Sequence, residues 1–173
     1  MSVVVLSVPA AAAGARDLDR LFAALSVAET PAQAAAIEGD IWSAWIYAGD
    51  ADTDELMDRG IYAMEQGLLP LAAEIFTTII ANAPDVAEGW NKRATVRYMM
   101  GNLGASVGDI GKTLEREPRH FGALSGLGLI YLARGQDRAA LKVFERVLVI
   151  YPQMPSARAH VRALRDKIKE SEI

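Results

Sequence analysis

Residues recur at intervals of 34 along most of this chain, and that period restricts the possible folds more than any other feature. Pro84, Pro118 and Pro152 stand 34 apart, as do Gly67, Gly101 and Gly135. The same interval links Phe76, Ile110 and Phe144; Ala72, Ser106 and Ala140; and Ile80, Leu114 and Leu148. A unit of this length is one supersecondary element, too small to bury its own apolar face, so units must stack on one another. The units span 53–86, 87–120 and 121–154.

Each column has a physical task. The Gly67 column stands where a first helix must stop and the chain reverse, which favours a left-handed residue. Small residues in the Ala72 column let two helices approach, while the Phe76 and Ile80 columns share one helical face at i, i+4 spacing. Proline at the end of each unit stops the second helix, because the residue before it is pushed out of the helical region. Asp52 with Glu55, and Asp85 with Glu88, have the spacing of a capping box. The flanks read as helices too. Leu18, Leu21, Phe22 and Leu25 form one stripe, and a second helix runs from about Pro31 to Tyr47 with Ile41, Trp42, Trp45 and Ile46. Trp42 and Ile46 stand 34 before Phe76 and Ile80, so residues 16–52 are expected to be a degenerate unit that starts the stack. Residues 155–173 carry Ala157, Val161, Leu164 and Ile168 on one stripe, with a charged remainder suited to a capping helix.

These residues resemble the tetratricopeptide-repeat family. Leu124, Leu127, Gly128, Tyr131, Gly135, Ala140, Phe144, Val147 and Pro152 stand at its signature positions, and the middle unit keeps Trp90, Ala94, Gly101, Ser106, Leu114 and Pro118. Arg93 and Arg97 replace the usual Leu and Tyr, and Arg59 and Ala63 depart in the same columns; arginine stems can lie over apolar surface with their heads in water. The resemblance implies an all-α solenoid, a right-handed superhelix of helix-turn-helix units, acting as a protein-interaction scaffold. The runs 90–94 and 117–128 are similar to small signal-bearing repeat proteins of Gram-negative, alphaproteobacteria-like bacteria with no established role.

Composition narrows the class. With 173 residues, 51% hydrophobic, net charge −4 and no cysteine, the chain fits neither disorder nor a disulfide scaffold nor a thiolate zinc site, and its acidity disfavours nucleic acid. Residues 1–15 run Val3-Val4-Val5-Leu6 into small residues at signal-peptidase-like spacing, a signal remnant or else a disordered tail. No Lys or Arg precedes Arg16, which fits a start codon set too late or a trimmed chain. A signal implies the periplasm; without one the chain is cytoplasmic. No segment approaches the roughly 18 to 20 apolar residues of a membrane span.

Chemistry-bearing motifs are sparse. Gly111-Lys112-Thr113 resembles the end of a phosphate loop, but Ser106 stands where a glycine is needed, and the segment reads as helix. Gly104 and Gly108 make that helix the softest of the array. His120 and His160 stand in different units without metal-ligand spacing, and read as surface or junction residues. Acidic pairs such as Asp50/Asp52 favour helix starts. Arg158, Arg162, Arg165 and Lys169 form a ridge that reads as a solvated face, with an acidic partner or lipid surface as the alternative. No enzyme, cofactor or metal is expected.

By the same resemblance, the concave groove would present Met57, Asn91 and Ser125; Ile61, Thr95 and Leu129; and Met64, Tyr98 and Leu132. It would take a peptide or helix of a partner protein, unless the flanks fold over it. Relatives that clamp a terminal carboxylate use Lys, Asn and Arg in columns that here hold Met57, Ile61, Ser125 and Leu129, which disfavours that clamp. Homo-oligomer formation, as a structural self-association module, is the rival reading. An enzyme assembled around His120 or clustered carboxylates is the remote one.

Overall fold

The structure, a computed structural model, describes residues 10–47 and 50–171, with side chains from Asp17 onward. Among these residues there are helices and no strands: α1 (Ala10–Ser26), α2 (Pro31–Ile46), α3 (Ala51–Glu65), α4 (Leu69–Asn82), α5 (Ala87–Met99), α6 (Leu103–Arg116), α7 (Phe121–Ala133), α8 (Asp137–Ile150) and α9 (Pro155–Glu170). Of the expected signal remnant or tail over residues 1–15, residues 1–9 lie outside the described residues, and residues 10–15 form the first turns of α1.

The periodic glycines close the hairpins α3–α4, α5–α6 and α7–α8. Gly67, Gly101 and Gly135 have φ of 72°, 76° and 68°, where a side chain would be strained. The following residue in each case bonds back across the glycine: the Leu68 amide donates to the Ala63 carbonyl at 2.9 Å, Asn102 to Arg97 at 2.8 Å, and Gln136 to Tyr131 at 2.9 Å. Those bonds satisfy carbonyls that a helix end leaves unpaired. The second helices end at Asn82, Arg116 and Ile150, two residues before each proline.

Inside each hairpin a small residue faces a large one. A Cβ on Gly60 would lie 2.6 Å from the Phe76 ring, and one on Gly128 2.6 Å from the Phe144 ring. In the middle hairpin the pair is Ala94 with Ile110, both buried in one cluster, so the extra methyl on one helix is offset by the smaller side chain on the other. Ser106, in the small-residue column, is buried and donates to the Ala94 carbonyl at 2.8 Å.

Three expectations are corrected. The helix starts do not use the paired acids at Asp52 and Asp85: Asp50 caps α3 by accepting from the Thr53 amide at 2.9 Å, and Val86 precedes α5 with no side-chain cap. Glu88, fully buried, instead pairs with Lys92 and is hydrogen-bonded to His120 and Asn91. The Arg93 and Arg97 heads are not left in water. Asp109 of α6, itself buried, accepts two bonds from Arg93 at 2.8 and 2.9 Å and one from Arg97 at 2.7 Å. This ionic triad fills the place of the apolar contact that the usual Leu and Tyr would make.

The third concerns α1 and α2, which do not stack ahead of α3. They lie across the loops that join successive hairpins, against the first turns of α5 and α7 and the end of α8. Trp42 stands over Gly122, where a Cβ would come within 2.5 Å of it, and Trp45 stacks on His120 at 3.9 Å between ring centroids. Phe22 packs on Phe121, Arg119 pairs with Asp19 at 2.6 Å, and the Tyr151 hydroxyl donates to Glu38 at 3.0 Å. Burial, and then the bond to Glu38, push the Tyr151 pKa up to about 12, so Tyr151 stays a donor at ordinary pH. The glycine at position 122 supplies the room that the Trp42 ring occupies. At the other end, α9 packs its Ala157, Val161 and Leu164 on α8.

Candidate functional site

Between α5 and α7 runs an open groove of about 360 Å³. Of the expected positions, Asn91, Thr95 and Tyr98 from α5 and Ser125 and Leu129 from α7 meet there. Met99, which is 51% exposed, and Gly122 also line it. The sequence signal for these two was weak: Met99 lies one turn beyond Thr95, and a glycine three residues before Ser125 has no side chain to announce itself.

The groove's polar groups are partly turned inward. Asn91 donates to Glu88 at 3.1 Å, Thr95 donates to the Asn91 carbonyl at 3.1 Å, and Ser125 faces the Met154 sulfur at 3.9 Å. What remains toward solvent is the Tyr98 ring, the Met99 thioether and Leu129. Among the described residues, no Lys, Arg, His, Asp or Glu lines this groove.

The other expected positions lie elsewhere. Met57 is fully buried with Phe76, Ile79 and Val96, and Ile61 and Met64 pack on the same cluster. The long, unbranched Met57 fills the seam where the equivalent Asn91 and Ser125 leave space, so the first repeat closes its share of the groove. Leu132 packs against the large cluster that holds α7 to its neighbours.

Beside the groove, Glu88 and His120 form a buried junction between α5 and α7. Both are fully buried, 2.8 Å apart, and Lys92 approaches Glu88 at 3.2 Å. His120 Nδ1 accepts from the Ala123 amide at 3.1 Å, so Nε2 carries the proton and donates to Glu88. His120 thus caps α7 and lies outside any accessible cleft. His160 stacks on Phe144 at 4.5 Å. A larger hollow of about 670 Å³ under α1 is bordered by Asp19, Asp85, Glu117, Arg116 and Arg119. There Arg119 is shared between Glu117 and Asp19, and its bond to Glu117 leads in raising its pKa. Gly111-Lys112-Thr113 lies within α6, with Lys112 paired to Glu115 and Thr113 donating to the Asp109 carbonyl. On the basic ridge, Arg158 donates to the Pro152 carbonyl and Arg165 pairs with Glu145. Among the described residues no group of three acidic or imidazole side chains is placed to hold a metal ion, and no helix is long and apolar enough to cross a membrane.

The tetratricopeptide-repeat profile matches residues 91–155. A tetratricopeptide-repeat-containing protein of Rhizobium etli is 40% identical over 151 residues, covering 87% of this chain and 74% of that protein. The chain belongs to the tetratricopeptide-repeat family. A second member of the family, a chloroplastic tetratricopeptide-repeat protein of Arabidopsis thaliana, is 24% identical over 128 residues, and the match spans 42% of its length. Among solved structures, the first tetratricopeptide-repeat domain of Spaghetti (RPAP3), bound to the HSP90 peptide SRMEEVD, superposes with a TM-score of 0.64 at 20% identity over 68% of this chain and 93% of that one. MamA superposes with a TM-score of 0.63 at 19% identity over 76% of this chain and 81% of that one. The second pair of likenesses concerns the fold.

Proposed function

We propose that this tetratricopeptide-repeat protein is a non-enzymatic interaction module that holds an uncharged, apolar peptide or helix of a partner protein between α5 and α7. The observation that carries this reading is the groove lined without a charged side chain yet rimmed by Tyr98, Met99 and Leu129. Aromatic and thioether side chains supply contact area and adapt to a partner's shape. The HSP90 peptide bound to RPAP3 is acidic, and a groove without cations cannot neutralise such a tail.

A photo-crosslinker at Thr95 in the native cell should capture a defined partner. Leu129→Glu should reduce that capture at least about tenfold, a cost of about 1.4 kcal/mol, with unchanged circular dichroism because Leu129 is a surface residue. Capture that survives Leu129→Glu together with Tyr98→Ala rejects the groove. The peptide SRMEEVD should show no saturable binding in calorimetry. The run 3–15 supports a periplasmic location, which cell fractionation with N-terminal sequencing of the mature chain would check.

A further inference from the structure

The array has an uncovered stacking face at its α3–α4 end. In the column Tyr62, Val96 and Ile130, the last two are 0% exposed because the preceding hairpin covers them, whereas Tyr62 is 63% exposed. Val96 is buried among Met57, Phe76 and Ile79, and Ile130 among Ala94 and Ile110. The neighbouring column behaves alike: Arg93 reaches back to Thr77 of α4 at 3.1 Å and Leu127 packs among residues of α6, while Arg59 is exposed. Because α1 and most of α2 dock elsewhere, no hairpin among the described residues precedes α3; only the end of α2 reaches this side, with Ile46 on the Met57 cluster and the Tyr47 hydroxyl donating to Asp58 at 3.3 Å. What remains is a hollow of about 430 Å³ lined by Tyr62, Leu68, Leu71 and Ile75 from the two helices, with Asp58 and Arg59 beside it.

We propose that this face is a dimer interface and that its occupant is the same face of a second copy of this chain. Two arguments select that occupant. First, the face is self-complementary: it is apolar in the hollow and carries one acid and one base at adjacent positions. A two-fold axis beside α3 brings the Asp58 carboxylate of one protomer, which accepts from its own Tyr47 and has acceptor capacity left, against Arg59 of the other, and the reverse contact follows by symmetry. Second, the opposite end of the array cannot serve as a head-to-tail partner. The outer side of α9 exposes Arg158, Arg162, Arg165, Asp166 and Lys169, and charged side chains would have to be stripped of water against Tyr62 and Leu71. The assembly therefore closes as a pair instead of growing into a filament.

Sedimentation velocity of the full chain across a hundredfold range of concentration tests this. The wild type should shift from monomer to dimer and stop there. Leu71→Asp and Tyr62→Asp should each weaken association at least tenfold with an unchanged circular dichroism spectrum, both side chains being exposed in the protomer. Asp58→Arg and Arg59→Asp should each weaken it alone, and an equimolar mixture of the two variants should recover it as a mixed dimer. That recovery cannot come from misfolding. A photo-crosslinker at Leu71 should yield a species of twice the chain mass. A wild type that is monomeric throughout, dimers indifferent to Leu71→Asp, or a crosslink to residues 1–9 of the same chain or to a different protein would each overturn the proposal.

Discussion

The pairs Gly60 with Phe76, Ala94 with Ile110 and Gly128 with Phe144 are one solution to one packing problem, written three times with different volumes. That gives a direct test of helix contact in the last hairpin. Gly128→Ala should destabilise the protein by about 1–3 kcal/mol in urea unfolding, since its Cβ meets the Phe144 ring. Combining it with Phe144→Ile copies the middle hairpin and should recover most of that loss, a non-additivity expected of residues in contact. The large residues were visible as a column in the sequence, and Ala94 and Gly128 as family signature positions, whereas Gly60 was not singled out. The Arg93, Arg97 and Asp109 triad was not visible, because Arg in an apolar column and Asp in a helix read singly as surface residues. Their partnership depends on two helices being side by side.

At the scale of elements, the turns were the most legible part of the chain. A glycine with positive φ and a proline two residues past a helix end act through local sterics, so their meaning survives without knowledge of the fold. Helix α6 carries the clearest test. Gly104, Gly108 and Gly111 all have open space where a Cβ would stand, so each gains only flexibility from lacking one. Gly104→Ala and Gly108→Ala should each stabilise the protein by about 0.5–1 kcal/mol, measured by thermal or urea unfolding. Amide exchange in α6 of the wild type should be faster than in α8 and should slow in the double variant. Equal protection of α6 and α8 in the wild type would remove the idea of a soft middle helix. The helix starts were less legible. An acid three residues from another fits a capping box at Asp85 and Glu88, but burial of Glu88 against His120 and Lys92 overrides that local preference.

Across the whole molecule, the decisive event is where α1 and α2 dock. Gly122→Val would drive a side chain into Trp42 and should release the pair while leaving the periodic hairpins intact. The expected readout is red-shifted tryptophan emission from Trp42 and Trp45, with cleavage after Arg20 at low protease concentration and a helical content nearly unchanged; an unaltered emission maximum would show that the contact yields without undocking. This docking also decides that the α3–α4 face stays uncovered. By itself the sequence determined the helices, the turns between them and the order in which the hairpins stack, because each of these rests on interactions within one repeat or between neighbours and so is rewritten every 34 residues. Only the tertiary structure decided which groove columns remain open and where the aromatic helix goes. Met57 and Asn91 share a column, yet one closes its seam and the other lines a groove; Trp42 and Gly122 lie 80 residues apart and match only in shape. Complementarity of volume between distant segments leaves no period in the chain, and that is what fixed the candidate site.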